Sequence, residues 1–230
     1  MTANKLIYDI KELLRDYIDD SELDSRYILY LYDIKRAKYL RQQLNNMQRV
    51  VDNGSVQTFC LETEPISANE CGINLDCSTI VRSKIKIPEP LQLHLGSAIT
   101  KVSSVNNLSK PFNFVSKQKA VYANKSAFPN SVYSFLGDDN YIYVISNSEA
   151  VKLLECVSVS GIFQNPLDLE NYYNCCGCSN NEEVKCIDYD TIDYPVPAHL
   201  IDVIREDIVK DLLLSKKITE DKENNSDDRD

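Results

Sequence analysis

SVYSFLGDDNYIYVISNSEAVKLLECVSVSGIFQNP, residues Ser131 to Pro166, is the stretch whose reading decides the fold. Val132 to Leu136 is rich in strand formers, Gly137-Asp138-Asp139-Asn140 supplies turn residues, and Tyr141 to Ser146 resumes as Tyr-Ile-Tyr-Val-Ile. Two such runs around a short polar link predict a β-hairpin. With four residues in the link, a type I turn suits it better than a two-residue primed turn. Val151 to Ser160 alternates loosely, ends at Gly161, and predicts a third strand.

Upstream, short strand-like runs continue at roughly 8–12 residue spacing, as in a small sandwich or barrel rather than a parallel sheet. They are Val56 to Leu61, Thr79 to Ile87, the alternating Leu91, Leu93 and Leu95, Ile99 to Val105, Phe112 to Val115 and Ala120 to Ala123. Pro88-Glu89-Pro90 closes the second, because proline cannot continue a ladder. Glu62 to Asp76 reads as irregular.

Helices flank this β-rich middle. Leu6, Ile10, Leu13, Leu14 and Tyr17 recur at helical spacing over Asn4 to Tyr17. A second helix runs to about Met47, with Ser21 and Asp24 as a weak capping box. Its expected apolar stripe is Tyr27, Tyr30, Ile34, Ala37, Leu40, Leu44 and Met47, with Lys35, Arg36, Lys38 and Arg41 on the other side. That basic cluster is the candidate interface; its plain alternative is a solvated helix face. At the other end, Tyr194-Pro195-Val196-Pro197 introduces a helix lined by Ile201, Ile204, Ile208 and Leu212. Thr219 to Asp230 carries six acids, two bases and no apolar side chain, the composition of a disordered tail. The expected fold class is therefore α+β: an N-terminal helix pair (1–50), a central antiparallel β-rich sandwich or barrel-like domain (51–193), a C-terminal helix (194–218) and an acidic tail (219–230).

Composition narrows the function. A net charge of −10 opposes a free-standing role on DNA, whose phosphates would repel the chain. No apolar run approaches the ~18 residues of a membrane span. Met1 to Lys11 lacks the apolar core of a secretory leader, so a reducing compartment is expected. Tyr is abundant at 14 and Trp absent, which suits half-wet protein interfaces.

Chemistry-bearing patterns are weak. Of the eight cysteines, Cys175, Cys178 and Cys186 have partial zinc spacing inside a Cys-rich loop at 171–187. The fourth ligand would have to be Cys176, Cys156 or His199; free thiols in a surface loop are the plain reading. A redox pair would need a strand before and a helix after. Asp188, Asp190 and Asp193 lack the glycine hinge and closing glutamate of a calcium loop. His94, between Leu93 and Leu95, is expected on the polar face of a strand or satisfied internally. No nucleophile–base pattern and no Gly-rich phosphate loop has local support. The chain is read as no enzyme, with no cofactor.

Three phrases carry a resemblance: DSRYILYLYDIKRAKYLRQQLN at 24–45, VSVSGIFQNP at 157–166 and YPVPAHLIDVIREDIVKDLL at 194–213, with SKIKIPEPLQL at 83–93 and ITKVSSV at 99–105 in support. Together they resemble head–tail connector or tail ring proteins of crAss-like short-tailed bacteriophages. The resemblance implies a structural virion protein in a homo-oligomeric ring, a dodecamer, below the portal and beside other tail ring proteins. Genomic DNA would pass through the lumen without specific binding. Localisation would be the tail at the portal vertex, after assembly in the host cytoplasm. The alternative is a small cytoplasmic adaptor or regulatory protein with a zinc-stabilised cysteine loop.

Overall fold

The computed structural model describes residues 1–17, 23–46, 53–67, 79–120, 131–176 and 191–224, the last few of α4 as backbone only. Two compact units emerge: Met1–Ser55 with Ile187–Asp230, and Val56–Cys186.

The second unit is built around the expected hairpin. β8 (Tyr133–Leu136) and β9 (Ile142–Ser146) pair antiparallel across Gly137 to Asn140. The Asn140 N–H donates to the Gly137 carbonyl at 3.1 Å, and Asn140 itself lies at φ 63, a left-handed conformation that asparagine tolerates. The space at Gly137 is already filled: a Cβ there would sit 2.6 Å from the Tyr143 ring and press on the Asp139 carboxylate, which accepts a 2.6 Å hydrogen bond from the Tyr143 hydroxyl. Gly137→Ala is accordingly expected to cost about 1–3 kcal/mol by overpacking, seen as a lower urea midpoint at unchanged m.

The remaining strands are β1 (Gln57–Ile66), β2 (Thr79–Ser83), β3 (Gln92–Leu93), β4 (Gly96–Ser97), β5 (Ile99–Ser104), β6 (Asn107–Pro111), β7 (Asn113–Phe114) and β10 (Cys156–Gly161). Eight of the ten strands described form one sheet in the order β6-β5-β10-β1-β2-β9-β8-β7; β3 and β4 make a separate small hairpin. Two strands change partner midway. β1 pairs with β10 through Gln57 to Glu62 and with β2 through Thr63 to Ile66, so Pro65 lies where only one neighbour needs the ladder. The outermost strands in the order, β6 and β7, are separated along the chain by Phe112 alone. Phe112 N–H donates to the Val102 carbonyl, and Asn113 N–H to that of Val132. One bent run, 107–114, thus pairs first with β5 and then with β8, bringing the two ends of the sheet together into a nearly closed barrel. This accounts for the single departure from the expected antiparallel sheet. A chain crossing that seam keeps its direction, and β7 meets β8 parallel.

Phe59, Leu61, Val81, Val102, Val144, Val157, Val159 and Phe163 fill the interior. On the other face of β2, β8 and β9, Ile80, Phe135, Tyr143 and Ile145 pack with Ala120 of α3 (Lys117–Ala120), the Phe135 and Tyr143 rings stacking at 4.9 Å. β9 is therefore buried on both faces, which is why its sequence is a nearly continuous apolar run instead of an alternating one.

Several local expectations change. Glu149–Leu153 is a 3-10 helix, so β10 starts only at Cys156. Pro166–Cys176, expected as loop, is also 3-10. The strand after Thr79 ends at Ser83. Residues 117–120 are helical, and 121–123 of that expected strand lie outside the described residues. β6 was not anticipated, since all five of its residues are exposed and polar or isolated.

The first unit holds α1 (Ala3–Leu14), α2 (Ser25–Asn45) and α4 (Ala198–Asn224). Leu6, Ile10 and Leu14 are buried as the periodicity of α1 predicts, whereas Leu13 and Tyr17 are exposed. Asp24 caps α2, its carboxylate accepting from the Arg26 N–H at 2.9 Å, while Ser21 of the expected capping box lies outside the described residues. The N-terminus meets the segment that leads into α4 here. Thr2 bridges Asp193, Tyr194 N–H donates to the Met1 carbonyl, and the N-terminal amine reaches Asp193 at 2.9 Å. α4 begins behind Pro195 and Pro197, buries Leu200, Ile204, Ile208 and Leu212, and continues to Asn224. It takes in the first residues of the stretch expected as tail; 225–230 lie outside the described residues.

Candidate assembly surface

The four basic residues of α2 do not share a face. Arg36 is 0% exposed. Its Nε donates to the Pro195 carbonyl at 2.6 Å, and its guanidinium lies 5.9 Å from the Tyr194 ring centre. The Tyr194 hydroxyl in turn donates to the Asp33 carboxylate at 2.6 Å. Burial pushes the Arg36 pKa down and that of Tyr194 far up. Arg36 thus anchors the turn into α4 and offers no surface to a neighbour, because that carbonyl and the Tyr194 ring enclose it.

Lys35 faces α4, and Lys38, on the exposed row, reaches back to the same helix. Lys35 Nζ meets Asp207 at 2.9 Å and Asp211 at 2.5 Å; Lys38 reaches Asp207 at 3.4 Å, and the Tyr39 hydroxyl adds 3.1 Å to the same carboxylate. Gln43 meets His199 at 2.9 Å further along. Burial alone would lower the Lys35 pKa, but hydrogen bonds to Asp211 and Asp207 outweigh it and raise the value. The hydrogen bond from Lys35 holds the Asp207 pKa below its usual value. The signs set a window. Asp207 contributes fully above about pH 4, and its share is lost as acid protonates it; Lys35 contributes below about pH 10, and its share is lost in base. Asp207→Asn should lower stability by about 1–2 kcal/mol at pH 7, a figure discounted for partial exposure. Urea titrations should show the gap from wild type closing as the pH falls toward 3.

Lys38 and Arg41 are exposed, and they extend a row the apolar periodicity had assigned to the core. Tyr27, Tyr30 and Ile34 are 51%, 59% and 43% exposed, while Ile28, Tyr32, Arg36, Ala37 and Leu40 point inward. At 100° per residue, Tyr27, Tyr30, Ile34, Lys38 and Arg41 fall on one outward face. Its first half is aromatic and apolar, with the Tyr27 and Tyr30 rings stacked at 6.5 Å, and its second half is cationic. The missed signal was Leu23 and Asp24: with the cap fixed there, Ile28 and Tyr32 begin the inward row.

Elsewhere, Cys178 and Cys186 lie outside the described residues, and only the backbone of Cys175 is described. No metal-binding group of His, Cys, Asp or Glu occurs among the described residues, and no described helix is long and apolar enough to cross a membrane. His94 sits exposed at the tip of the β3–β4 hairpin, not within a strand. Beside that hairpin an open groove of about 1170 Å³ runs between Leu95, Phe114 and Lys117.

The chain comprises a barrel stapled by one bent strand and a helical unit whose α2 carries an aromatic and cationic exposed row; comparison with known proteins supplies the class, the structural ring proteins of phage tails, components of the virion. The chain belongs to the family described as phage tail ring protein 2, whose model matches residues 5–230. It is similar to ring protein 2 of Bacteroides phage crAss001, at 25% identity over 232 residues, covering 99% of this chain and 97% of that protein.

Proposed function

We propose that this chain is a head–tail connector or tail ring subunit that forms part of the DNA channel below the portal, as a homo-oligomeric ring that does no chemistry of its own. The observation that carries the reading is the family match over residues 5–230. Copy number twelve, portal and ring-protein neighbours, and assembly in the host cytoplasm belong to the same reading. Ring contacts are heterologous, one face of a subunit meeting a different face of the next, and Lys38 and Arg41 are the basic residues placed to take part. The net charge of −10 suits a channel wall, since it repels passing DNA instead of retaining it.

Imaging the portal vertex of virions tests the proposal. A ring of this chain coaxial with the portal is the expected result; particles without the chain would overturn it. Assembly of the purified chain should weaken as salt rises, because ionic contacts across subunits are screened.

A further inference from the structure

We infer that the exposed row of α2 pairs with the same row of a second copy of this chain, the two helices running antiparallel about a two-fold axis beside Ile34. The row is Tyr27, Tyr30, Ile34, Lys38 and Arg41. From Ile34 its positions lie four and seven residues away in either direction, so turning the row end for end superposes them. Many helix rows share that symmetry; the chemistry of this one selects the partner. One half is a stacked tyrosine pair, and the other is a pair of cations. End for end, the tyrosines of each copy meet Lys38 and Arg41 of the other, and Ile34 meets Ile34. A cation is attracted to the electron-rich face of a tyrosine ring, and the two-fold axis makes the contact twice.

The parallel arrangement of the same row fails on charge. It would set Lys38 against Lys38 and Arg41 against Arg41. The antiparallel one keeps the two Arg41 positions about 21 Å apart along the helices, where salt screens their repulsion. Arg26, also exposed, is turned about 100° from Tyr27 and stays off the row. Lys38 keeps its 3.4 Å contact with Asp207 while its side chain is 48% exposed, so Arg41 bears more of the pairing. Tyrosine and arginine are also the residue types that dominate subunit contacts. One helix face about 21 Å long is well below a standard interface, so the dimer is weak, with a dissociation constant on the order of 100 μM. Such a contact closes on two copies and leaves nothing for a third. It therefore goes beyond the ring proposed above, whose contacts are heterologous, and belongs to the free chain. Because that ring would use Lys38 and Arg41, the dimer covers what the ring needs and holds free copies out of it.

Sedimentation equilibrium of the full-length chain, from about 10 to 500 μM, tests the pairing, with circular dichroism as the check on folding. Wild type should show a monomer–dimer equilibrium. Tyr27→Lys sets a lysine against the cations of the other copy, and Arg41→Glu sets a carboxylate against its tyrosines. Each should weaken the dimer on the order of tenfold. The double variant, Tyr27→Lys with Arg41→Glu, should recover it, because each new lysine then meets a glutamate of the other copy. In a parallel pair the double variant would set like charges together and recover nothing. Ile34→Glu, at an exposed position, brings two carboxylates together beside the axis and should abolish the dimer. A wild-type chain that stays monomeric, or passes to larger assemblies without a dimer, overturns the inference. So does a double variant no better than the single ones, or an Ile34→Glu chain that dimerises as wild type does. Imaged virions report on the ring separately. A ring there without a dimer in solution leaves the proposed function standing, and a dimer in solution with particles lacking the chain removes the proposed function alone.

Discussion

Arg36→Ala is expected to lower the unfolding free energy of the helical unit by about 3 kcal/mol, the loss of a buried hydrogen bond from a charged group together with the packing of its stem. The guanidinium is fully enclosed and donates to the Pro195 carbonyl, and Tyr194 closes over it. Truncation leaves that carbonyl without its charged donor and opens a space beneath the Tyr194 ring. It also frees the segment that carries the chain into α4. Urea denaturation followed by circular dichroism should show the loss. Arg36→Lys should recover little of it, because an ammonium on a thinner stem does not reproduce a planar guanidinium against a ring. If Arg36→Ala were as stable as wild type, the role of this residue as the anchor between α2 and α4 would be refuted.

Phe163→Ala is expected to cost about 3–5 kcal/mol in the barrel. Phe163 is fully buried; its ring meets that of Phe59 edge-on at 5.3 Å, and Phe59 in turn meets Tyr172 at 5.4 Å. The residue is also isolated-bridged to Pro90, so its backbone ties the end of β10 to the segment before β3. Removing the ring leaves a hole in the layer that joins β1 to the 3-10 helix at Pro166–Cys176. Thermal melts should fall by several degrees or more. Phe163→Leu should lie between the two, since it keeps most of the volume and loses the edge-on ring pair.

Local signals carried a good part of this protein. Gly137 to Asn140 between two β-branched and aromatic runs was enough for the hairpin, because turn chemistry and strand propensity agree there. The prolines at 195 and 197 marked the start of α4 for the same reason. The stretch from Tyr27 to Leu40 failed because apolar residues lie all round α2. Two stripes were then nearly equal in apolarity, and tyrosine serves at a surface as well as in a core. Only packing against α1 and α4, with the Pro195 carbonyl as a partner for Arg36, chooses between them. The basic residues were misread along with the stripe: Arg36 is interior, Lys35 belongs to α4, and Lys38 and Arg41 look outward.

By itself the sequence determined the class of the fold, the hairpin at its centre, the flanking helices and, through its likeness to tail ring proteins, the family. These rest on interactions between residues near each other in the chain, or on patterns kept along its whole length. The tertiary structure decided what depends on distant partners. It showed that β6 and β7 are one bent strand bringing the ends of the sheet together, that Met1 joins Asp193 in one unit, and that α2 turns Tyr27 and Tyr30 outward. Such choices come down to which surfaces bury each other, a comparison of free energies between remote segments that no local window contains.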